Sequence, residues 1–249
     1  SFTTPADEFI CGTSTISDVD GNIYHTIQTG DQCWMKENLK TTHFRDGTAI
    51  EYPGSNNSSW FYNSAGAYAW YENNIAWKDL YGALYNWYAV DNPAGLCPEG
   101  WHLPTHDEYT QMEQFVCNES GNADCDVKFP YDFSTTGWRG SNEGNLLKSC
   151  RQVNSPLGGD CNTDQPPRWN EHSTHYGTDE YGFSALPGGV RLPNGGYGGM
   201  GYYGYFWTAT ENPAYQPWSR GMQFSSSTIY RSNNDLPGYG FSVRCVRDF

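Results

Sequence analysis

Eight cysteines, Cys11, Cys33, Cys97, Cys117, Cys125, Cys150, Cys161 and Cys245, are spread through the 249 residues with no C-x-x-C pair among them. An even count without zinc-type spacing reads as four disulfides, and so as an oxidising, extracytoplasmic setting. Such a chain can be stapled rather than built from long elements. Cys117/Cys125 and Cys150/Cys161 enclose loops short enough for ordinary bridges, whereas spacing alone leaves the other four cysteines unpaired. The 28 Gly and 14 Pro add many turns and irregular connections, which excludes a helical bundle. An aromatic content of 16% separates the chain from acidic disordered segments, and its length is ample to bury a core.

Charge narrows the partners. Lys and Arg number 14 against 28 Asp and Glu, a net charge of −14, so no basic face is available to follow a phosphate backbone and nucleic acid is excluded as a ligand. No apolar run approaches the roughly 18 residues of a membrane span, and SFTTPADEF has neither the basic nor the apolar region of a signal peptide. The chain is therefore expected not to span a membrane.

Along the chain, Asp20-Gly21 predicts a hairpin turn, with Ile23, His25 and Ile27 on one face of the strand that follows. Asp18, Asp20 and Asn22 imitate the start of a calcium loop, but Thr29 stands where its closing carboxylate belongs, so an EF-hand is rejected. Residues 40–80 read as loops with short strands, and Tyr81–Val90 as a buried strand or short helix. Pro104 followed by Thr105 and Glu108 predicts a capping box, and Tyr109, Met112, Phe115 and Val116 recur at helical spacing up to Cys117. Asp107, Glu108 and Glu113 on that helix read as capping and solvated carboxylates, not an acid/base pair. From Tyr181 onward short strands broken by Gly predict an antiparallel sheet. Its last member is Gly240–Arg247, with Phe241, Val243 and Cys245 as one buried face.

Catalytic patterns are missing: there is no G-x-S-x-G, H-E-x-x-H or Walker loop. Glu171, His172 and His175 resemble part of a zinc set but lack a third placed ligand, so no metal and no cofactor are expected. Trp34, Trp101 and His102 read as packing residues.

Six ordered motifs then point to one family: DVDGN with CWMKENLK (18–40), YGALYNW (81–87), CPEGWHLPT (97–105), GWRGSNEGNLLK (137–148), YGFSALPGG (181–189), and WTATE with GFSVRCVRD (207–211 and 240–248). Together they resemble the Fibrobacter succinogenes major paralogous domain, over about residues 18–248. The resemblance implies an α+β fold of C-type-lectin-like kind, irregular and loop-rich, with small antiparallel sheets, one or two short helices and disulfides. It implies a single domain over 18–249 after an N-terminal extension, 1–17. It also implies a surface or secreted bacterial protein, related to the formylglycine-generating-enzyme group. In lectin-like folds a late strand is commonly tied to the first half, so the resemblance pairs Cys97 with Cys245 and leaves Cys11 for Cys33.

The enzyme alternative needs a reactive cysteine pair near the C-terminus, and residues 215–235 contain no cysteine. Calcium-dependent sugar chelation needs an acid-Pro-amide loop and a Trp-Asn-Asp triplet, and Glu211-Asn212-Pro213 has another order. What remains is a binding module of adhesin or receptor-binding type, taking a glycan or a protein. In the resembling proteins the penultimate region is the variable ligand face. Here that region holds Tyr215, Trp218, Arg220, Gln223, Ser225, Ser227, Tyr230, Arg231, Asn233, Asn234 and Asp235, the composition of recombined binding loops. Trp218, Arg220, Tyr230 and Arg231 are expected to be partly exposed anchors, with Gln223 pointing outward. The Tyr/Gly segment 197–205 is the next candidate. A purely structural module of a surface assembly is the remaining alternative.

Overall fold

The computed structural model describes residues 8–150, 165–214 and 216–248. Asp20-Gly21 turns the chain between strands β1 (Thr15–Ser17) and β2 (Ile23–Thr29), because Asp18 accepts the amides of Asp20 and Asn22 and so stabilises the reversal. The face carrying Ile23 and His25 is the outer one, and Tyr24 and Thr26 are buried instead. Asp20 then reaches the 41–43 loop, accepting from the Thr42 amide and hydroxyl. The segment before residue 18 thus supplies the edge strand of a sheet.

Strand β3 (Gln32–Met35) follows, and β4 (Trp101–His102) leads through Pro104 into helix α1 (His106–Glu119). The capping box is formed: Thr105 Oγ1 accepts from the Glu108 amide at 3.1 Å, and Glu108 Oε2 from the Thr105 amide at 2.7 Å. Tyr109, Met112 and Val116 are buried, with Phe115 half-buried beside Tyr181. Five other α-helical segments of four or five residues occur among the described residues, more than the one or two helices expected; two of them are capped by the side chains of Asn56 and Asn86, in stretches too short to register as periodicity.

The strands that complete the two larger sheets are β5 (Gly137–Arg139), β6 (Tyr203–Glu211), β7 (Pro217–Gln223), β8 (Ile229–Ser232) and β9 (Val246–Arg247), and two small ribbons pair Tyr68–Ala69 with Leu84–Tyr85 and Val190–Arg191 with Tyr197–Gly198. One sheet runs β1-β2-β3-β9-β4 and the other β6-β7-β8-β5, with antiparallel pairing throughout. The protein is therefore α+β with small antiparallel sheets. The antiparallel sheet predicted for the C-terminal third forms, except at its last member. Phe241, Val243 and Cys245 are buried, but so are Ser242 and Arg244, because this segment threads between the two sheets. Only Val246–Arg247 enters a ladder, and it joins the N-terminal sheet beside β3. Arg244 is sustained in this interior by the carbonyls of Phe183 and Ser184 and by Asn38.

Disulfides hold the chain where expected. Cys11–Cys33, Cys97–Cys245 and Cys117–Cys125 are formed, each with Cα atoms 5.8–5.9 Å apart. Cys150 is also disulfide-bonded, while Cys161, its predicted partner, lies outside the described residues. Non-reducing peptide mapping should return the first three links plus Cys150–Cys161; a free thiol at Cys245 would contradict them. No helix among the described residues is long and apolar enough to cross a membrane.

Candidate functional site

The C-terminal sheet has two faces of opposite character. Period-two alternation along β7 sends Trp218, Arg220 and Met222 to one face, and that face packs on α1. Arg231 of β8 pairs in register with Arg220 and points the same way. Trp218, Arg220 and Arg231 are thus fully buried, which corrects their expected role as exposed anchors. The reason is Glu113, which α1 presents to this face. Its Oε1 accepts from Arg220 Nε at 2.5 Å, and its Oε2 lies 3.9 Å from Arg231 Nε. Glu113 is accordingly not a solvated carboxylate but the buried counter-charge of two guanidinium groups. Thr110 Oγ1 and the Pro130 carbonyl take further donors of Arg231. Trp218 packs against the His106 ring at 4.1 Å between centroids.

The opposite, outer face is aromatic. Tyr205, Gly221, Tyr230 and Trp138 stand opposite one another in register across β6, β7, β8 and β5, which places all four on one face. Gly221 is the floor of this row. A Cβ there would lie 3.1 Å from the Tyr205 ring and 3.3 Å from Tyr230 Cβ, so a larger residue would push the Tyr205 ring outward by a few tenths of an ångström. Tyr230 and Trp138 rings contact at 5.1 Å, and Trp138 is 46% exposed. On the other side Tyr203, Tyr205, Phe241 and Tyr239 form a stacked ladder with centroids 4.9–5.7 Å apart.

Polar groups surround these rings. The hydroxyls of Tyr203, Tyr205, Tyr230 and Tyr239 make no hydrogen bond to a described residue. Burial pushes the Tyr205 phenol up to about 12, helped by the nearby phenols and Asp235. Asp235 accepts from Ser219 Oγ at 2.6 Å, and its carboxyl is raised above the usual range by burial. Both therefore sit in a partly dry surface where a hydrogen bond to a ligand is worth more than in open water.

Of the residues named from the sequence, this face gathers Gln223, Tyr230 and Asp235. Gln223 alternates with Gly221 to the outer side and is half-buried. Ser225 and Ser227 lie in the β7–β8 turn, where Ser227 Oγ donates to the Ser141 carbonyl. Lys148 braces that turn from below, donating to the carbonyls of His175, Gln223 and Ser226. Asn233 and Asn234 follow β8, Asn234 exposed and accepting from Ser232 Oγ. Tyr215 lies outside the described residues. Sequence reasoning missed Trp138 and Tyr239 altogether, while Tyr203 and Tyr205 fell in the second-choice segment. The period-two spacing of Tyr203 and Tyr205 was the available signal.

Elsewhere, Trp34 and Trp101 are core residues, as expected. His172 stacks on His175 at 4.9 Å and accepts the amides of Thr174 and His175, an ordinary loop arrangement.

Two histidines give the fold opposite pH dependences. His106 accepts from Arg231 Nη2 at 2.7 Å and is held down to about 3, first by burial and then by Arg220 and Arg231. Below pH 6.5 the unfolded chain binds a proton that the folded chain refuses. Stability therefore falls as the pH drops from 6.5 toward 3, by on the order of 3–5 kcal/mol at the limit. His102, by contrast, is raised by its hydrogen bond to Glu108 and by Asp248, so its contribution is present below its unfolded pKa and lost as pH rises through the folded one. Urea denaturation at pH 7 and pH 4.5 should give a smaller loss in His106→Gln than in the parent chain; an equal loss would remove His106 as a cause.

The family model described as the Fibrobacter succinogenes major domain matches residues 27–247. No curated protein and no solved structure matches the chain. With the match covering nearly all of the described core, from β2 to β9, the chain belongs to the Fibrobacter succinogenes major domain family.

Proposed function

We propose that this chain is a non-enzymatic recognition module of C-type-lectin-like architecture, displayed outside the cytoplasm, whose outer sheet face takes a neutral glycan. The observation that carries the reading is one sheet face that holds four tyrosine hydroxyls without partners among the described residues, with the exposed Trp138 at its edge beside Tyr230. A sugar offers hydroxyls that both donate and accept, together with an apolar C–H face that packs on a ring. Tyrosine supplies both kinds of contact at little conformational cost. The net charge of −14 disfavours acidic glycans. Disulfides support the extracytoplasmic setting. The lectin-like architecture is supported by β3 and β9 lying side by side and by Cys97–Cys245 closing that end.

An oxidase of the formylglycine-generating type would need a thiol at its site, and Cys245 is committed to Cys97. The copper-loaded protein, incubated with a sulfatase-type cysteine peptide, should leave the peptide mass unchanged. A glycan array containing neutral and acidic oligosaccharides, paired with a protein pull-down, tests the reading itself. Retention of neutral oligosaccharides that survives raised salt is expected; retention of acidic glycans only, or of a protein and no glycan, would overturn it.

A further inference from the structure

A second concave region lies away from the aromatic face, where the 44–48 turn meets residues 95–105. Two hollows of about 230 and 300 Å³ share Arg45, Leu96 and Cys97 in their walls. The larger continues over Val90, Leu103 and Ala209 and is mainly apolar, and its volume is at the lower end of those that take small ligands. The smaller runs toward Asp18 and Glu99.

Arg45 stands where the two meet, on a backbone tied to the 95–105 segment. Its amide donates to the Gly95 carbonyl at 2.7 Å. Its guanidinium lies directly on the Gly95 α-carbon, close enough that a Cβ at residue 95 would be 2.4 Å from Nη2. Gly95 has φ +78°, a left-handed conformation that favours glycine. Yet the guanidinium makes no hydrogen bond or ion pair to a described residue, in a chain with twice as many acidic as basic residues. Other cations of the fold are engaged: Lys40 with Asp79, Arg220 and Arg231 with Glu113, and Lys148, Arg139 and Arg244 with carbonyls.

We infer that this groove binds a small carboxylate carrying an apolar group, with the carboxylate forked on Arg45 and the apolar group seated against Val90, Leu103 and Ala209. A planar guanidinium left without a partner matches a carboxylate bidentately. The acidic side of the smaller hollow, at Asp18 and Glu99, leaves the apolar branch as the place for the rest of the ligand. The same chemistry is offered by a free carboxylic acid and by the last residue of a peptide.

The test is a titration of the isotope-labelled full chain followed by amide chemical shifts, with three probes: N-acetyl-leucine, N-acetyl-leucinamide and a hexapeptide ending in a free leucine carboxylate. N-acetyl-leucine is expected to shift the Arg45, Gly95 and Leu96 amides saturably, and the leucinamide, which lacks the carboxylate, to bind at least tenfold more weakly. Arg45→Gln should weaken the acid at least tenfold without changing the melting temperature, because Arg45 is exposed. Ala209→Phe, which fills the apolar branch, should do the same. A hexapeptide that binds more tightly than N-acetyl-leucine identifies a peptide C-terminus as the source, and one that binds only as well as the acid or less identifies a free acid. Equal binding of the leucinamide, unchanged binding in Arg45→Gln, or shifts confined to another part of the chain would overturn the inference. None of these outcomes bears on the aromatic face.

Discussion

Glu113→Gln is expected to destabilise the protein by about 3–5 kcal/mol, because removing one member of a buried ion pair leaves the other charged and unpaired. Here two guanidinium groups, Arg220 and Arg231, would lose the one carboxylate paired with them among the described residues while remaining fully buried. For a chain of this size the melting temperature should fall by about 10 °C or more. The pair Glu113→Gln with Arg220→Met should recover part of the loss, since one of the two stranded charges is then removed. A single variant within about 1 kcal/mol of the parent would mean that water reaches this cluster and that α1 and the sheet are held by packing alone.

Two tryptophans on opposite faces of one sheet should answer substitution in opposite ways. Trp218→Ala empties a fully buried site between α1 and the sheet and should cost about 3–5 kcal/mol. Trp138→Ala removes a ring that is 46% exposed at the edge strand and should change stability by less than about 0.5 kcal/mol. Binding should respond the other way: truncating Trp138 or Tyr230 is expected to cost about 2 kcal/mol, near thirtyfold in affinity, as aromatic anchors at a ligand face do. A Trp138→Ala protein that unfolds would place the ring in the core. If Trp138→Ala and Tyr230→Ala both fold and both bind the array-selected oligosaccharide normally, the ligand face lies elsewhere.

These contrasts also show where a sequence can and cannot be read. The capping box at Thr105 and Glu108, the turn at Asp20-Gly21 and the local Cys117–Cys125 bridge are set by residues within a few positions of one another, and each formed as expected. Gln223 points outward as expected, and alternation along β7 sets Trp218, Arg220 and Met222 on the opposite face. An outward Gln223 already implied, by alternation, an inward Trp218 and Arg220, and the charge of Arg220 was what argued against burying that set. The answer came from Glu113, more than a hundred positions away, whose carboxylate makes a buried Arg220 tolerable. Arginine and tryptophan favour ligand contacts in exposed loops and ion-paired cores alike, so composition pointed to the right sheet and to the wrong side of it. Trp138 was illegible for a related reason: it joins the site through β5, an edge strand that reaches β8 from a distant part of the chain. The final segment misled through its alternation, since Ser242 and Arg244 are polar yet buried between two sheets.

Hydrogen exchange of the full chain, with and without the neutral oligosaccharide selected on the array, tests the outer-face assignment most directly. Added sugar is predicted to slow exchange at residues 137–139, 203–205 and 229–239, the strands and loop that carry Trp138, Tyr203, Tyr205, Tyr230, Asp235 and Tyr239. Protection confined to other segments, with these unchanged under saturating sugar, would contradict it.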